Sequence, residues 1–455
     1  MTNDLTVGKV PRVLISFSLP LLLSTLLQQF YNLADSMIVG RFTGDGGLAA
    51  IGAAYPITLF YIAIATGASM GASVVVSELF GARKQREMHT AAYTALISFA
   101  VLGVLLAAVG VFGSRFLMTL TNAPADIFDN ARRYLAIYAV GAPAMLLYNA
   151  ATGVFTGMGN SRLPLGLLAF SSVLNVILDY IAVRFLHLGV AGAAWATTIS
   201  QVAAAAASVV ILVIRLNKDR AGQPRVLYSA DVFRRIVGAA VPCILQQSCV
   251  ALSHTIFQSI LNRYDTAVIA GYEAASKLHN FVYMSFNTLG TALAAFAAQC
   301  CGAGNTRRVR EGFKVTWLIC LGCAAVVILL FQLFPAQLIG LFIDAAEHPL
   351  VIEAGVTYLR IISLLYLPIS LIVVTGGLLR GTGQSLHFFI ETVAEIAVRI
   401  AACYLIAWLV GSYLGLLLAF CIGSVTGGLL CAILAIRTFR RKLRFLPNTE
   451  EQHHV

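Results

Sequence analysis

Two halves of this chain carry the same order of apolar stretches and turn residues, a duplication that restricts it to folds built from two similar lobes. Pro20 aligns with Pro242 and Arg41 with Arg263 at one constant offset. Further along, Gly81-Ala82 falls on Gly302-Ala303, and Gly157-Met-Gly-Asn-Ser161 falls on Gly381-Thr-Gly-Gln-Ser385. The polar groups do not repeat. Asp35 aligns with Phe257, Asn175 with Arg399 and Asp179 with Cys403.

Composition identifies the solvent. Of 455 residues, 59% are hydrophobic and only 11% charged, whereas soluble domains carry about 25% charged residues. The chain divides into apolar stretches of the length that crosses a bilayer core of roughly 30 Å. They are read as 13–40, 48–78, 91–118, 131–156, 164–186, 190–215, 236–261, 270–300, 313–334, 353–380, 387–409 and 414–437. Six spans per half is an even number, so both copies enter the membrane from the same side and form parallel repeats. The expectation is an all-α polytopic membrane protein with twelve transmembrane helices. An N-lobe (1–215), a basic linker (216–235), a C-lobe (236–437) and a basic tail (438–455) would surround a central cavity.

The formal charge of +11 does not point to nucleic acid, because the cations gather in alternate loops instead of on a folded aqueous face. Arg83, Lys84 and Arg86 share one side with Arg220, Arg225, Arg234 and Arg235, with Arg307, Arg308 and Arg310, and with Arg440, Arg441, Lys442 and Arg444. The positive-inside rule makes that side the cytoplasm and puts both termini there. The expected location is the cytoplasmic membrane of a prokaryote, as a multi-pass protein and a monomer. All nine cysteines lie between Cys243 and Cys431. Cys320 and Cys323 have a C-x-x-C spacing, but on an apolar stretch without further ligands, so packing is expected and not metal chemistry.

Carboxylates inside such spans are costly and mark function. Asp35 lies five residues short of the outer end of the first span, or about 7–8 Å, and Asp179 about 10 Å from the outer end of the fifth. Asn175, four residues earlier, shares the face of Asp179. An unpaired carboxylate in hydrocarbon must be protonated, ion-paired or wet. Two acids and an amide make a hard-oxygen site suited to H⁺ or Na⁺ at Asp35, Asn175 and Asp179. Pro20, some four turns before Asp35, removes a backbone hydrogen bond and is a candidate hinge. In the eleventh span Glu391, Glu395 and Arg399 share one face, as a structural pair with a spare acid or as a wall of the substrate cavity.

The residues resemble the multidrug and toxic compound extrusion (MATE) family over roughly Val10 to Arg437. The resemblance rests on Pro20 with Gln28-Gln-Phe-Tyr-Asn-Leu-Ala-Asp35, on Gly157-Met-Gly-Asn-Ser161, on Asn175-Val-Ile-Leu-Asp179 and on Gly189-Val-Ala-Gly-Ala-Ala-Trp-Ala-Thr197. It implies two six-helix lobes and antiport of organic cations against H⁺ or Na⁺, with no cofactor. In the branch of DNA-damage-inducible transporters it implies an N-lobe cation site, carried here by Asp35, Asn175, Asp179, Thr197 and Tyr134. Another branch places acids in its seventh and tenth helices. Here the seventh span has none and the tenth only Glu353, at its edge.

Secondary active efflux of amphipathic or cationic compounds is therefore the expected function. The alternative is a lipid-linked oligosaccharide or polysaccharide flippase of the related superfamily, which needs a cationic cavity for a pyrophosphate head. Few basic residues beyond Arg360 and Arg399 stand inside spans to supply it. An enzyme would need a clustered catalytic constellation, and the spacing offers none.

Overall fold

The computed structural model describes residues 4–218, 226–343, 348–410 and 413–442. Arg220, Arg225 and Arg444 of the basic clusters, with most of the tail, lie outside the described residues.

Twelve apolar helical segments follow one another. They are α1 (Val10–Thr43), α2 (Ala49–Gly81), α3 (Gln85–Leu120), α4 (Phe128–Val140 with Ala142–Gly157), α5 (Arg162–Phe185) and α6 (Gly189–Lys218). The second set is α7 (Ala230–Leu261), α8 (Thr266–Gly302), α9 (Thr306–Leu333), α10 (Pro349–Leu364 with Tyr366–Gly381), α11 (Ser385–Val410) and α12 (Tyr413–Arg440). Large apolar side chains face outward along them, Phe112 at 88% exposure and Phe116 at 70%. In water such a surface would aggregate; in lipid it is the preferred solvent contact.

Helical hydrogen bonding runs unbroken from Val10 to Gly81, 72 residues. Drawn straight, such a helix would span about 108 Å, more than three bilayer cores. It forms two spans instead, Val10–Thr43 and Ala49–Gly81, and Ile51 of the second packs against an apolar cluster of Val39, Val183 and Ala193. At the corner the Thr43 hydroxyl, bonded to the Val39 carbonyl at 2.7 Å, occupies the space that a Cβ on Gly47 would need.

α4 and α10 are broken where the sequence suggested single spans. The axis bends by 45° at Gly141 and by 52° at Leu365, and both residues have φ −73° and ψ −12°. The cause lies just beyond each break, where Pro143 and Pro368 cannot donate a backbone N–H. The turns after α4 and α10 also match: Gly159 and Gly383 adopt φ of +73° and +71°, a conformation that a side chain disfavours.

The compact units do not divide where the repeats do. One comprises Met1–Leu5 and Leu19–Ser248; the other comprises Thr6–Ser18 and Cys249–Val455. The first half of α7 thus belongs with α2. A Cβ on Gly67 would meet the Ile244 backbone at 2.6 Å, one on Gly71 the Ala240 backbone at 2.4 Å, and Arg235 pairs with Glu78 at 3.1 Å. In the other unit Arg308 donates to the carbonyls of Gly8 (2.7 Å) and Val7 (3.1 Å), fixing the entry to α1. Without a hydrophobic force between helices in lipid, such small-residue contacts carry the packing. Pro20 sits inside unbroken helix, its carbonyl accepting from the Ser24 hydroxyl at 2.9 Å.

Candidate functional site

Four helices of the first unit bring their polar residues to one place. On α1, Tyr31 and Asp35 are one turn apart and share a face. α5 supplies Asn175 and Asp179 at the same spacing, α6 supplies Thr197, and the first half of α4 supplies Tyr134 and Tyr138. The C-terminal ends of α1 and α5 are tied just beyond the acids. Phe42 meets Tyr180 edge-on at 6.0 Å and takes the Arg184 guanidinium over its ring at 5.7 Å. Directly after Asp179 the backbone widens into a π-helical turn, Tyr180–Phe185, with Leu186 N–H donating to the Ile181 carbonyl. Such single-turn departures recur at functional positions.

Asp179 is fully buried and Asn175 is 1% exposed. Oriented to satisfy both its ends, the Asn175 amide donates to Asp179 Oδ2 at 2.9 Å and accepts from the Thr197 backbone N–H at 3.2 Å. The Asp35 and Asp179 carboxyls lie within hydrogen-bonding reach of each other. Two ionised carboxylates have only acceptors, so a bond between them requires one proton on the pair. Each acid keeps a buried Oδ1 with no hydrogen-bond donor. The Tyr31 hydroxyl bonds Thr197 and lies within electrostatic reach of both acids, as does Tyr134. Below them Tyr134 stacks on Tyr138 at 6.2 Å, and Tyr138 meets Tyr61 edge-on. Among the described residues no ion pair involves either acid.

All five residues expected of this site from the resemblance, Asp35, Tyr134, Asn175, Asp179 and Thr197, therefore stand in one cluster. Tyr31 was missed, although its position four residues before Asp35 places it on the same face. Tyr138, four residues after Tyr134, carries the same unused signal.

The other set stands apart, in the second unit. Arg399 pairs with Glu395 one turn away on α11 and lies 4.8 Å over the Phe420 ring. Glu391 is 3% exposed. Glu353 and Arg360 are exposed. The cysteines are free, with Cys320 buried and Cys323 exposed. Among the described residues no group of three or more His, Cys, Asp or Glu residues could hold a metal.

A family model described as MatE matches residues 20–181 and 242–405, one copy on each repeat. The chain is 28% identical over 343 residues to the probable multidrug resistance protein YoeA of Bacillus subtilis (strain 168), covering 73% of each chain. It is 24% identical to a protein named FAD transporter from Shewanella oneidensis, covering 96% of both. Among solved structures, an outward-facing multidrug resistance MATE family transporter of the MOP superfamily superposes with a TM-score of 0.87. That match has 22% identity and covers 98% of each chain.

Proposed function

The chain belongs to the MatE family, and from that premise we propose that it exports amphipathic organic cations in exchange for protons entering the cell. The observation that supports this most is the Asp35–Asp179 pair. The two carboxyls stand within hydrogen-bonding reach of each other, a bond between them needs one proton, and among the described residues neither acid is in an ion pair. Intramembrane acids without a partner are the usual groups of proton and ion relays. Na⁺ could replace the proton using the same oxygens together with the Asn175 carbonyl, but only after the shared hydrogen bond is broken. The proton is therefore the simpler occupant of the state described.

In this reading the two lobes alternate access to a central substrate cavity, with both termini in the cytoplasm and a single chain acting alone. Protonation of the pair favours one arrangement of α1 against α5 and disfavours the substrate-loaded one. The inward proton gradient then sets the direction of export. Pro20, whose missing N–H leaves the Ser16 carbonyl without its helical donor, is the hinge at which α1 changes course. A lipid-linked sugar flippase is not favoured. Arg360 is exposed and Arg399 is engaged by Glu395, so neither of these two cations stands buried and free for a pyrophosphate.

The test is efflux of a fluorescent organic cation from liposomes containing the purified protein, under a pH gradient and, separately, a Na⁺ gradient. Efflux driven by pH alone, and lost in both Asp35→Asn and Asp179→Asn, is the expected result. Wild-type efflux in both variants would remove the mechanism.

A further inference from the structure

The aligned partners of Asn175 and Asp179 in the second repeat are Arg399 and Cys403, so the second unit lacks the first unit's site. It nevertheless holds an acid of its own with no partner. Glu391 is 3% exposed, and neither carboxyl oxygen has a hydrogen-bond donor. Beside it are the Cys431 thiol of α12 and the Thr392 hydroxyl, outside bonding geometry, and the hydroxyl is committed to the Phe388 carbonyl at 3.0 Å. Arg399 is committed to Glu395. Arg380 of α10 lies over the Phe388 ring at 5.4 Å. Tyr283 of α8 is the remaining titratable group in reach of both glutamates.

An ionised Glu391 would thus sit in a dry interior, one helical turn from Glu395 and with no cation left for it. Like charges at that spacing repel, and an uncompensated buried charge is among the costliest arrangements in a protein. α12 crosses so close that a Cβ on Gly427 would stand 3.0 Å from Glu391 Oε1 and 3.0 Å from Glu395 Cγ. Two residues along this α12 stripe, Gly423 and Gly427, leave space for the charged face of α11, Gly423 standing against Arg399.

We propose that Glu391 is a second proton-carrying site of this protein, separate from Asp35 and Asp179 and supported by the Glu395–Arg399 pair. Glu391 is six residues into α11, about 9 Å along the helix, toward the end the basic loops assign to the cytoplasm. When α12 moves off α11 and water enters, the carboxyl O–H bond breaks. The proton passes to water and a carboxylate remains. Reclosure of α12 requires the proton to return. The Glu395–Arg399 pair stays charge-neutral throughout, so a single proton governs whether the two helices can close.

Infrared difference spectroscopy of the full-length protein in liposomes tests this without requiring transport. In an Asp35→Asn/Asp179→Asn background, a carboxylic acid C=O band is expected at neutral pH, and adding Glu391→Gln should abolish it. Persistence of the band in Glu391→Gln, or its absence beforehand, overturns the proposal. Because the amide imitates a neutral acid, Glu391→Gln should melt with the parent protein; a large drop would mean an ionised, paired Glu391 and would also overturn it. In transport, Glu391→Gln should move fewer protons per substrate while export persists; unchanged stoichiometry overturns a part in coupling. Failure of the Asp35 mechanism would appear as wild-type efflux in Asp35→Asn, an outcome independent of the Glu391 band.

Discussion

The carboxyl groups of Asp35 on α1 and Asp179 on α5 lie within hydrogen-bonding reach of each other in the first unit, and the Asn175 amide donates to Asp179 Oδ2 at 2.9 Å. Each group can play its part only if one proton is present. Removing that proton leaves two buried anions facing each other, which drives the helices apart or draws in a cation.

Asp35→Asn and Asp179→Asn test this directly. An amide can still hydrogen-bond the remaining acid, so both variants should insert and melt as the parent does. The introduced amide cannot exchange a proton, and ion-driven efflux should fall about 10- to 100-fold, the worth of a lost charge-assisted interaction. Melting temperatures with efflux rates from the same preparations separate loss of coupling from loss of fold.

The tyrosine hydroxyls around the pair make a weaker claim. Tyr31→Phe removes the bond to Thr197 and a polar neighbour of both acids; Tyr134→Phe removes only the second. A single hydrogen bond contributes about 1 kcal/mol. Loss of a polar neighbour favours the protonated form of a buried acid, so each variant should lower the proton concentration needed for half-maximal efflux by roughly fivefold, Tyr31→Phe more than Tyr134→Phe. Efflux measured across a series of external pH values is the check; equal or absent effects would mean that the hydroxyls only pack.

Glycine carries the attachment of α7 to the first unit. Gly71→Ala would place a methyl 2.4 Å from the Ala240 backbone, which cannot move aside as a side chain can. Overpacking of this sort costs about 1–3 kcal/mol. Gly238→Ala on α7, which meets nothing within 4 Å, is the control. A thermal melt in detergent should show a clear loss for the first and little change for the second.

The turn glycines should behave as a matched pair. Gly159 and Gly383 stand at φ +73° and +71° at equivalent places in the two repeats. Alanine at either costs roughly 1–2 kcal/mol from the left-handed backbone alone. The two losses should be similar and should add in the double variant, since the sites lie in different units. Chemical denaturation of the three variants would show it.

Much of the site could be read before any coordinates. Intramembrane acids stand out because hydrocarbon tolerates so few, and helical spacing alone put Asn175 beside Asp179. Tyr31 escaped because a tyrosine in an apolar helix has many uses, and only the arrival of Thr197 from α6 picks out this one. The breaks in α4 and α10 escaped for another reason. Pro143 and Pro368 announce a missing donor, but the size of the bend depends on what packs there. At Gly103 a Cβ would strike the Pro143 backbone at 2.5 Å.

By itself the sequence determined the solvent, the twelve crossings, the duplication and the unequal placing of acids between its halves. Each of these follows from local composition and spacing, which a bilayer reads one helix at a time. Only the tertiary structure decided that Asp35 and Asp179 come within reach of each other, that Arg399 pairs with Glu395 and not with Glu391, and that the first half of α7 belongs with α2. Those are relations between helices, set by which faces meet and at what distance, and hydrophobic periodicity carries no information about them.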